Sequence, residues 1–274
     1  MAATLMNHRG AREVTLNELT TIEAPPPTDT WFPISHFDVW QAVHATLTAA
    51  GYEVRKQQFS LARDNHRFFG VLDLQNRIID GISLAVGIRN STDKSFPIGM
   101  CCGQRVFCCD NLAFTSEIVI CKKHTRFGEE RYREGISKAV ASLGQYQVAQ
   151  AEWIDRLRSR RLTREEADSI ILRSYEEELI SVRTLPLVIN EWRKPSYDDF
   201  HEKTGWSLWN AFTHALGLTE QAKNPAKAAL TTIKLQRLMS PEVIDVPFSR
   251  ERSEERSLAA ADAEQPAEEW IAAD

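Results

Sequence analysis

An α+β fold is predicted by two changes of hydrophobic period along the chain and by the punctuation between them. A helical repeat fills residues 36–50, short runs of aromatic and β-branched residues occupy 52–109, and helical repeats return from Glu129. No helix-length crossover separates the middle runs, so antiparallel pairing is the economical connection. The expected architecture is a central antiparallel β-sheet preceded by one helix and followed by a helical C-terminal half.

Each element has a local cause. The first thirty residues read as a flexible arm, because Pro25, Pro26 and Pro27 neither continue a helix nor sit in a central strand. Ser35 is an N-cap with Asp38 three residues on, Val39, Trp40, Val43 and Leu47 follow at helical spacing, and Gly51 stands where a C-terminal cap belongs. Strands are expected at Tyr52–Phe59, Arg67–Leu74, Ile82–Arg89 and Ile98–Cys109, with Arg63-Asp64-Asn65 and Asn76–Gly81 as turns. Asn90–Ser95 reads as a hairpin loop, since Asn, Ser and Asp side chains bond to nearby backbone.

Beyond Glu129, Tyr132, Ile136, Val140 and Leu143 form an apolar stripe that runs on through Trp153 and Leu157. Thr163 with Glu166 is a capping box opening a second helix to about Val182. Shorter helices are expected at 186–194, 206–217 and 226–239, punctuated by Gly205, Pro225 and Pro241. The chain thus divides into an arm (1–30), an α+β platform (31–127), a helical region packed on it (128–240) and an acidic tail (241–274) expected to be disordered.

Composition narrows the function classes. A hydrophobic content of 43% suffices for a packed core. No apolar run approaches the roughly 20 residues that span a bilayer, and Met1–Gly10 lack the apolar centre of a secretory signal. Five cysteines, an odd number, point to reduced thiols in a cytoplasmic protein. The net charge of −5 belongs to the tail: from Arg250 onward eight carboxylates face three arginines, and residues 1–249 are neutral. A neutral body leaves nucleic-acid binding open where a uniformly acidic chain would oppose it.

No catalytic or metal motif stands out. Cys101-Cys102, Cys108-Cys109 and Cys121 lack the C-x₂-C spacing that brings two thiolates to one zinc, so they read as packed sheet residues. There is no G-x-S-x-G, P-loop, G-x-G-x-x-G or H-E-x-x-H, and Asp198-Asp199 read as a helix N-terminal turn. An enzyme built on Cys109, Asp110, Asn111 and His124 is a third-ranked reading. No cofactor is expected. Arg156, Arg158, Arg160, Arg161 and Arg164 form a basic knot that either contacts nucleic acid or pairs with Glu152, Asp155, Glu165 and Glu166, the second reading ranking first.

One polar set suits a nucleic-acid surface. Arg89, Asn90, Ser91, Asp93 and Lys94 lie on the hairpin, followed by Arg105, by Asn111, and by Lys122, Lys123, His124 and Arg126. Arg and Lys beside Asn and Ser form the donor set that phosphates attract, and Phe68, Phe69, Phe96 and Phe107 offer stacking faces if they point outward. The alternative is ordinary: hairpin polar residues satisfy their own backbone and basic strand ends are solvated.

These segments also carry a resemblance. Pro33-Ile34-Ser35-His36, Gly87-Ile88-Arg89-Asn90-Ser91-Thr92-Asp93-Lys94-Ser95, Arg105-Val106-Phe107-Cys108-Cys109-Asp110-Asn111-Leu112 and Lys123-His124-Thr125 follow in order over about residues 15–215. In this the chain resembles the phage- and plasmid-like proteins grouped as domain of unknown function 932. The resemblance implies a mobile-element setting; the order helix, antiparallel strands, helix is also similar to the core of single-strand annealing proteins. The expected function is non-catalytic binding of single-stranded nucleic acid in replication or recombination. The alternative is a host-interaction or anti-defence protein that binds a host protein through its acidic tail. A homo-oligomer fits either, and no membrane partner is expected.

Overall fold

The computed structural model describes residues 11–106, 112–113, 119–219 and 225–240, and of 112–113, 119, 219 and 225–229 the backbone alone. The fold is mixed α+β, as the sequence predicts. One antiparallel sheet contains β1 (Arg12–Val14), β2 (Val54–Ala62), β3 (Arg67–Ile79), β4 (Ile82–Ser91), β5 (Ile98–Val106), β6 (Leu112–Ala113) and β7 (Val119–Lys122). The strands run in the order β1-β2-β3-β4-β5. The free edge of β5 is shared, its first half pairing with β7 and its end with β6.

Three short elements among these lie where the sequence shows no period. Within the expected arm, β1 pairs with β2 and a second helix, α1 (Leu16–Thr20), follows. Thr15 opens α1 with a capping box, its Oγ1 accepting from Glu18 N at 3.2 Å while Glu18 Oε2 accepts from Thr15 N at 2.8 Å. Leu19 is then buried completely, anchoring a stretch too short to show periodicity. β6 and β7 are equally short. The expected turn at Asn76–Gly81 shrinks to Asp80-Gly81, because β3 continues through two register shifts and Gly81 takes a φ of +80°.

The helix α2 (His36–Ala49) matches its sequence signals closely. Ser35 Oγ accepts from Asp38 N at 3.0 Å, and Gly51 adopts the left-handed φ of +82° that a C-terminal cap requires. Leu72, Leu84, Val86, Ile88, Met100 and Cys102 share one sheet face with Phe68 and join the core formed with α2 and α3 (Gly128–Ser159). The opposite face is small and polar, with Gly87 opposite Val71 and Cys101, and Ala85 opposite Asp73 and Gly103.

The C-terminal half comprises α4 (Arg164–Glu176), α5 (Leu185–Arg193), a 3-10 turn at Asp198–Phe200, α6 (Gly205–Thr219) and α7 (Pro225–Met239). α4 stops six residues before the expected Val182, where Glu178 turns the chain with a φ of +56°. Trp153 of α3 meets Trp209 of α6 edge-on at 4.9 Å, and its Nε1 donates to Ser240 Oγ just past α7. The basic knot pairs only partly as expected: Glu166, held below the usual carboxylate range mainly by its Thr163 hydrogen bonds, also feels Arg160, whereas Arg164 reaches Asp168 at 3.6 Å and Arg158 donates to the Asp80 carbonyl at 3.2 Å. Among the described residues no helix is long and apolar enough to cross a membrane. The acidic tail lies outside the described residues.

Candidate nucleic-acid interface

Antiparallel pairing sets the end of β4 and the end of β7 on either side of the start of β5. Arg89 lies opposite Gly99, and Lys122 opposite Ile98. Arg89, Asn90, Ser91, Asp93, Lys94, Lys122, Lys123, His124 and Arg126 therefore gather at one end of the sheet, beside the entry to α2.

The inner layer of this end is a hydrogen-bonded lock. Asn90 is fully buried, and its Nδ2 donates to the Ile34 carbonyl at 2.9 Å and to His36 Nδ1 at 3.0 Å. His36 Nε2 donates in turn to the Asn65 carbonyl at 2.9 Å, a pattern that assigns the Nε2–H tautomer of a neutral ring. Burial pushes the His36 pKa down to about 4, against a smaller opposing pull from the Asn65 carbonyl. The ring stacks on Phe68 with centroids 5.4 Å apart.

His124 holds the same segment from its other side. Its Nδ1 accepts from Ile34 N at 3.4 Å, and its carbonyl accepts from Phe32 N at 3.0 Å. Burial lowers its pKa as well, partly offset by the nearby backbone of Phe32 and Ser91. The 31–35 segment is thereby stitched to β4 and to the turn after β7, and this fixes where Trp31 stands.

The loop after β4 is tied down by its own polar residues, as its composition suggests. Ser91 Oγ donates to the Phe96 carbonyl at 2.6 Å and accepts from Phe96 N at 3.1 Å. Asp93 accepts from Arg67 Nε at 2.8 Å, from Ser95 N at 3.0 Å and from Ser95 Oγ. Burial alone would raise the Asp93 pKa, but the Ser95 and Arg67 hydrogen bonds together hold it below the usual carboxylate range. Lys94 takes a left-handed φ of +66° at the tip, which carries its ammonium over the Trp31 ring, 5.0 Å from the centroid.

The outer layer alternates cations with rings. Arg89 lies 5.4 Å from the centroid of Phe96 and reaches Cys121 Sγ at 3.7 Å. Gly99 leaves the room for it, since a Cβ there would come within 2.9 Å of Arg89 Nε. Lys94, Lys123 and Arg126 are exposed, Lys122 is half-buried, and Phe127 is 57% exposed beside them. Among the described residues no carboxylate forms an ion pair with Lys94, Lys123 or Arg126.

Several expected site residues take other roles. Arg105 stands opposite Ser83, six residues along β5 from Gly99, which is about 20 Å at strand rise. It is buried against Asp73, so it does not join this surface. Asn90, Ser91 and His124 are buried and hold the scaffold instead of facing solvent, and Asp93 is committed to Arg67 and Ser95. Phe68 and Phe69 are buried, leaving Phe96 as the half-exposed ring among the described members of that set. Asn111, Phe107, Cys108, Cys109 and Asp110 lie outside the described residues. Sequence reasoning missed Trp31 and the role of His36. Trp31 opens the platform two residues before Pro33, and no local signal there says that its ring will be half-buried beneath Lys94.

Other chemistry finds little support elsewhere. Among the described residues no three His, Cys, Asp or Glu side chains are placed to hold a metal ion. Burial pushes the Cys101 thiol up to about 12 and Cys102 higher still, so neither supplies a thiolate at neutral pH. A cavity of about 370 Å³ opens at the far end of the sheet, lined by Asp80, Arg158, Asp199, Glu202, Thr204 and Trp206 among others. Its one arginine already lies 5.8 Å from the Trp206 ring and donates to the Asp80 carbonyl. In comparisons with known proteins, no family model, no curated protein and no solved structure matches the chain.

Proposed function

We propose that the Arg89–Lys94 and Lys122–Arg126 end of the sheet binds single-stranded nucleic acid, in a non-catalytic role supporting replication or recombination of a mobile element. The observation that carries this reading is the alternation of cations and rings. Lys94 lies over Trp31 and Arg89 beside Phe96, at the end of the sheet that also carries Lys123, Arg126 and the exposed Phe127. Ammonium and guanidinium groups neutralise phosphates, while ring faces accept unstacked bases that a duplex keeps inside. The mobile-element setting comes from the resemblance of the motifs and from nothing else.

The test is anisotropy of a labelled single-stranded oligonucleotide across a salt series, with duplex DNA and RNA alongside. The triple variant Lys94→Gln/Lys123→Gln/Arg126→Gln should keep its fold by circular dichroism. It should flatten the slope of log K against log salt by about 2, at roughly 0.7 per phosphate contact. Absence of binding at low salt, or an unchanged slope in the triple variant, counts against the reading.

A second reading, a protein-binding role, is favoured by one feature. Leu172 and Tyr175 lie one turn apart on α4 and are 52% and 40% exposed, and Val182 shortly after is 66% exposed. Leu172→Ser/Val182→Ser should leave oligonucleotide binding intact while abolishing any capture of a host protein.

A further inference from the structure

The net charge of the chain resides in a segment that the cationic end of the sheet would attract. From Ser257 to Asp274 there are five carboxylates and no basic residue, with Trp270 and Ile271 among them. A surface opposite in charge bears Lys94, Lys123 and Arg126, whose cations have no ion-pair partner among the described residues. It also bears the apolar complement that Trp270 needs, in the exposed Phe127 and the half-buried Trp31 and Phe96.

Reach permits the contact. Ser240 is fixed beside Trp153, and Trp153 stands twenty-five residues along α3 from Gly128, where the cationic surface begins. That distance is about 38 Å at helix rise. Thirty residues separate Ser240 from Trp270, and a chain of that length spans at most about 100 Å.

We infer that residues 262–274 dock in cis on the Lys94–Lys123–Arg126 surface, carboxylates on the cations and Trp270 on the rings, and so compete with nucleic acid for it. The inference rests on the proposed function only in naming what the tail displaces. Tethering makes a weak contact effective. At an effective concentration of about 1 mM, a tail contact of only about 0.1 mM affinity masks the surface about tenfold.

The experiment uses the full chain. Trp270→p-benzoylphenylalanine is irradiated without nucleic acid, and the adducts are mapped by mass spectrometry. Intramolecular cross-links should fall on peptides containing Trp31, Lys94 or residues 123–127. They should vanish in a Lys94→Glu/Lys123→Glu/Arg126→Glu background and when a single-stranded oligonucleotide is added. In parallel, the tail variant Asp262→Asn/Glu264→Gln/Glu268→Gln/Glu269→Gln/Asp274→Asn should bind the oligonucleotide about tenfold more tightly at low salt, with the gain fading as salt screens the contact. Cross-links elsewhere, cross-linked dimers alone, or insensitivity to the reversed cations overturn the inference. Cross-links in the expected place with no oligonucleotide binding by either form uphold the docking and sink the nucleic-acid reading. Equal oligonucleotide binding by both forms, without those cross-links, does the reverse.

Discussion

Arg105 Nε donates to Asp73 Oδ1 at 2.7 Å from within the sheet, with 3% and 1% of the two side chains exposed. The two residues lie on neighbouring rungs of the small-residue face, where Asp73 opposes Ala85 and Arg105 opposes Ser83. Removing Arg105 leaves the Asp73 carboxylate buried, so Arg105→Ala should cost about 3–5 kcal/mol, and Asp73→Ala should also destabilise the sheet. The double variant Asp73→Leu/Arg105→Met removes both charges at similar volume and should recover most of that loss. Urea denaturation of the four proteins checks the cycle. A single variant as stable as the parent would mean that the pair is not buried. A motif that looks like part of a phosphate-binding set from its sequence is, on this account, a strut.

The His36–Asn90 lock predicts a pH window. Its folded pKa of about 4 lies below the ordinary value of 6.5, so the unfolded chain takes up a proton that the folded chain refuses. The stabilisation is fully present above 6.5 and is lost as pH falls from there towards 4. It amounts to about 3 kcal/mol over the window. His124 is shifted the same way and adds to the slope, whereas Asp93 is shifted downward from the carboxylate range and acts at lower pH. Thermal unfolding in steps of half a pH unit from 7 to 4 should show the decline. In His36→Gln the decline should be shallower, even if the variant starts from lower stability.

The close contact of Gly128 with the turn before it gives a third prediction. A Cβ at Gly128 would collide with the Lys123 carbonyl, a backbone atom that cannot swing aside, while Gly128 N donates to the Thr125 carbonyl at 2.8 Å. Gly128→Ala must therefore shift the 123–127 turn or the start of α3. Overpacking of this kind costs about 1–3 kcal/mol. Because the same turn carries Lys123 and Arg126, the variant should also lose oligonucleotide affinity, unlike Gly144→Ala on the open face of the same helix, where a Cβ meets nothing.

How far these roles are legible in the sequence depends on the range of the interaction that fixes them. Ser35, Gly51 and the Thr163–Glu166 pair act within one helical turn, and the sequence announces them correctly. The same holds for the loop after β4, where Ser91, Asp93 and Ser95 bond to backbone or to each other within five residues. Asp73 and Arg105 are thirty-two residues apart and His36 and Asn90 fifty-four, so nothing local says that they meet. Alternation told which strand residues share a face, but not that Arg105 stands six residues from the cationic end. β1, β6 and β7 were illegible because strands of two to four residues carry no period, and their place comes from the edge they pair with.

The proposed surface separates into two physical contributions that respond differently to salt. Trp31 offers a ring whose position is set by Phe32 N bonding to the His124 carbonyl and by Ile34 held between Asn90 and His124. Stacking of a base on it involves no counterion release. Trp31→Ala should weaken single-strand binding by about 1–3 kcal/mol, roughly 5- to 150-fold, and leave the salt slope unchanged. Trp31→Phe should restore most of the affinity. Lys123→Gln should do the opposite, lowering the slope by about 0.7 while leaving high-salt affinity nearly as it was. Isothermal titration at three salt concentrations distinguishes them. If Trp31→Ala changes the slope as much as Lys123→Gln does, the indole serves mainly to seat the Lys94 ammonium, 5.0 Å away, and bases do not stack there.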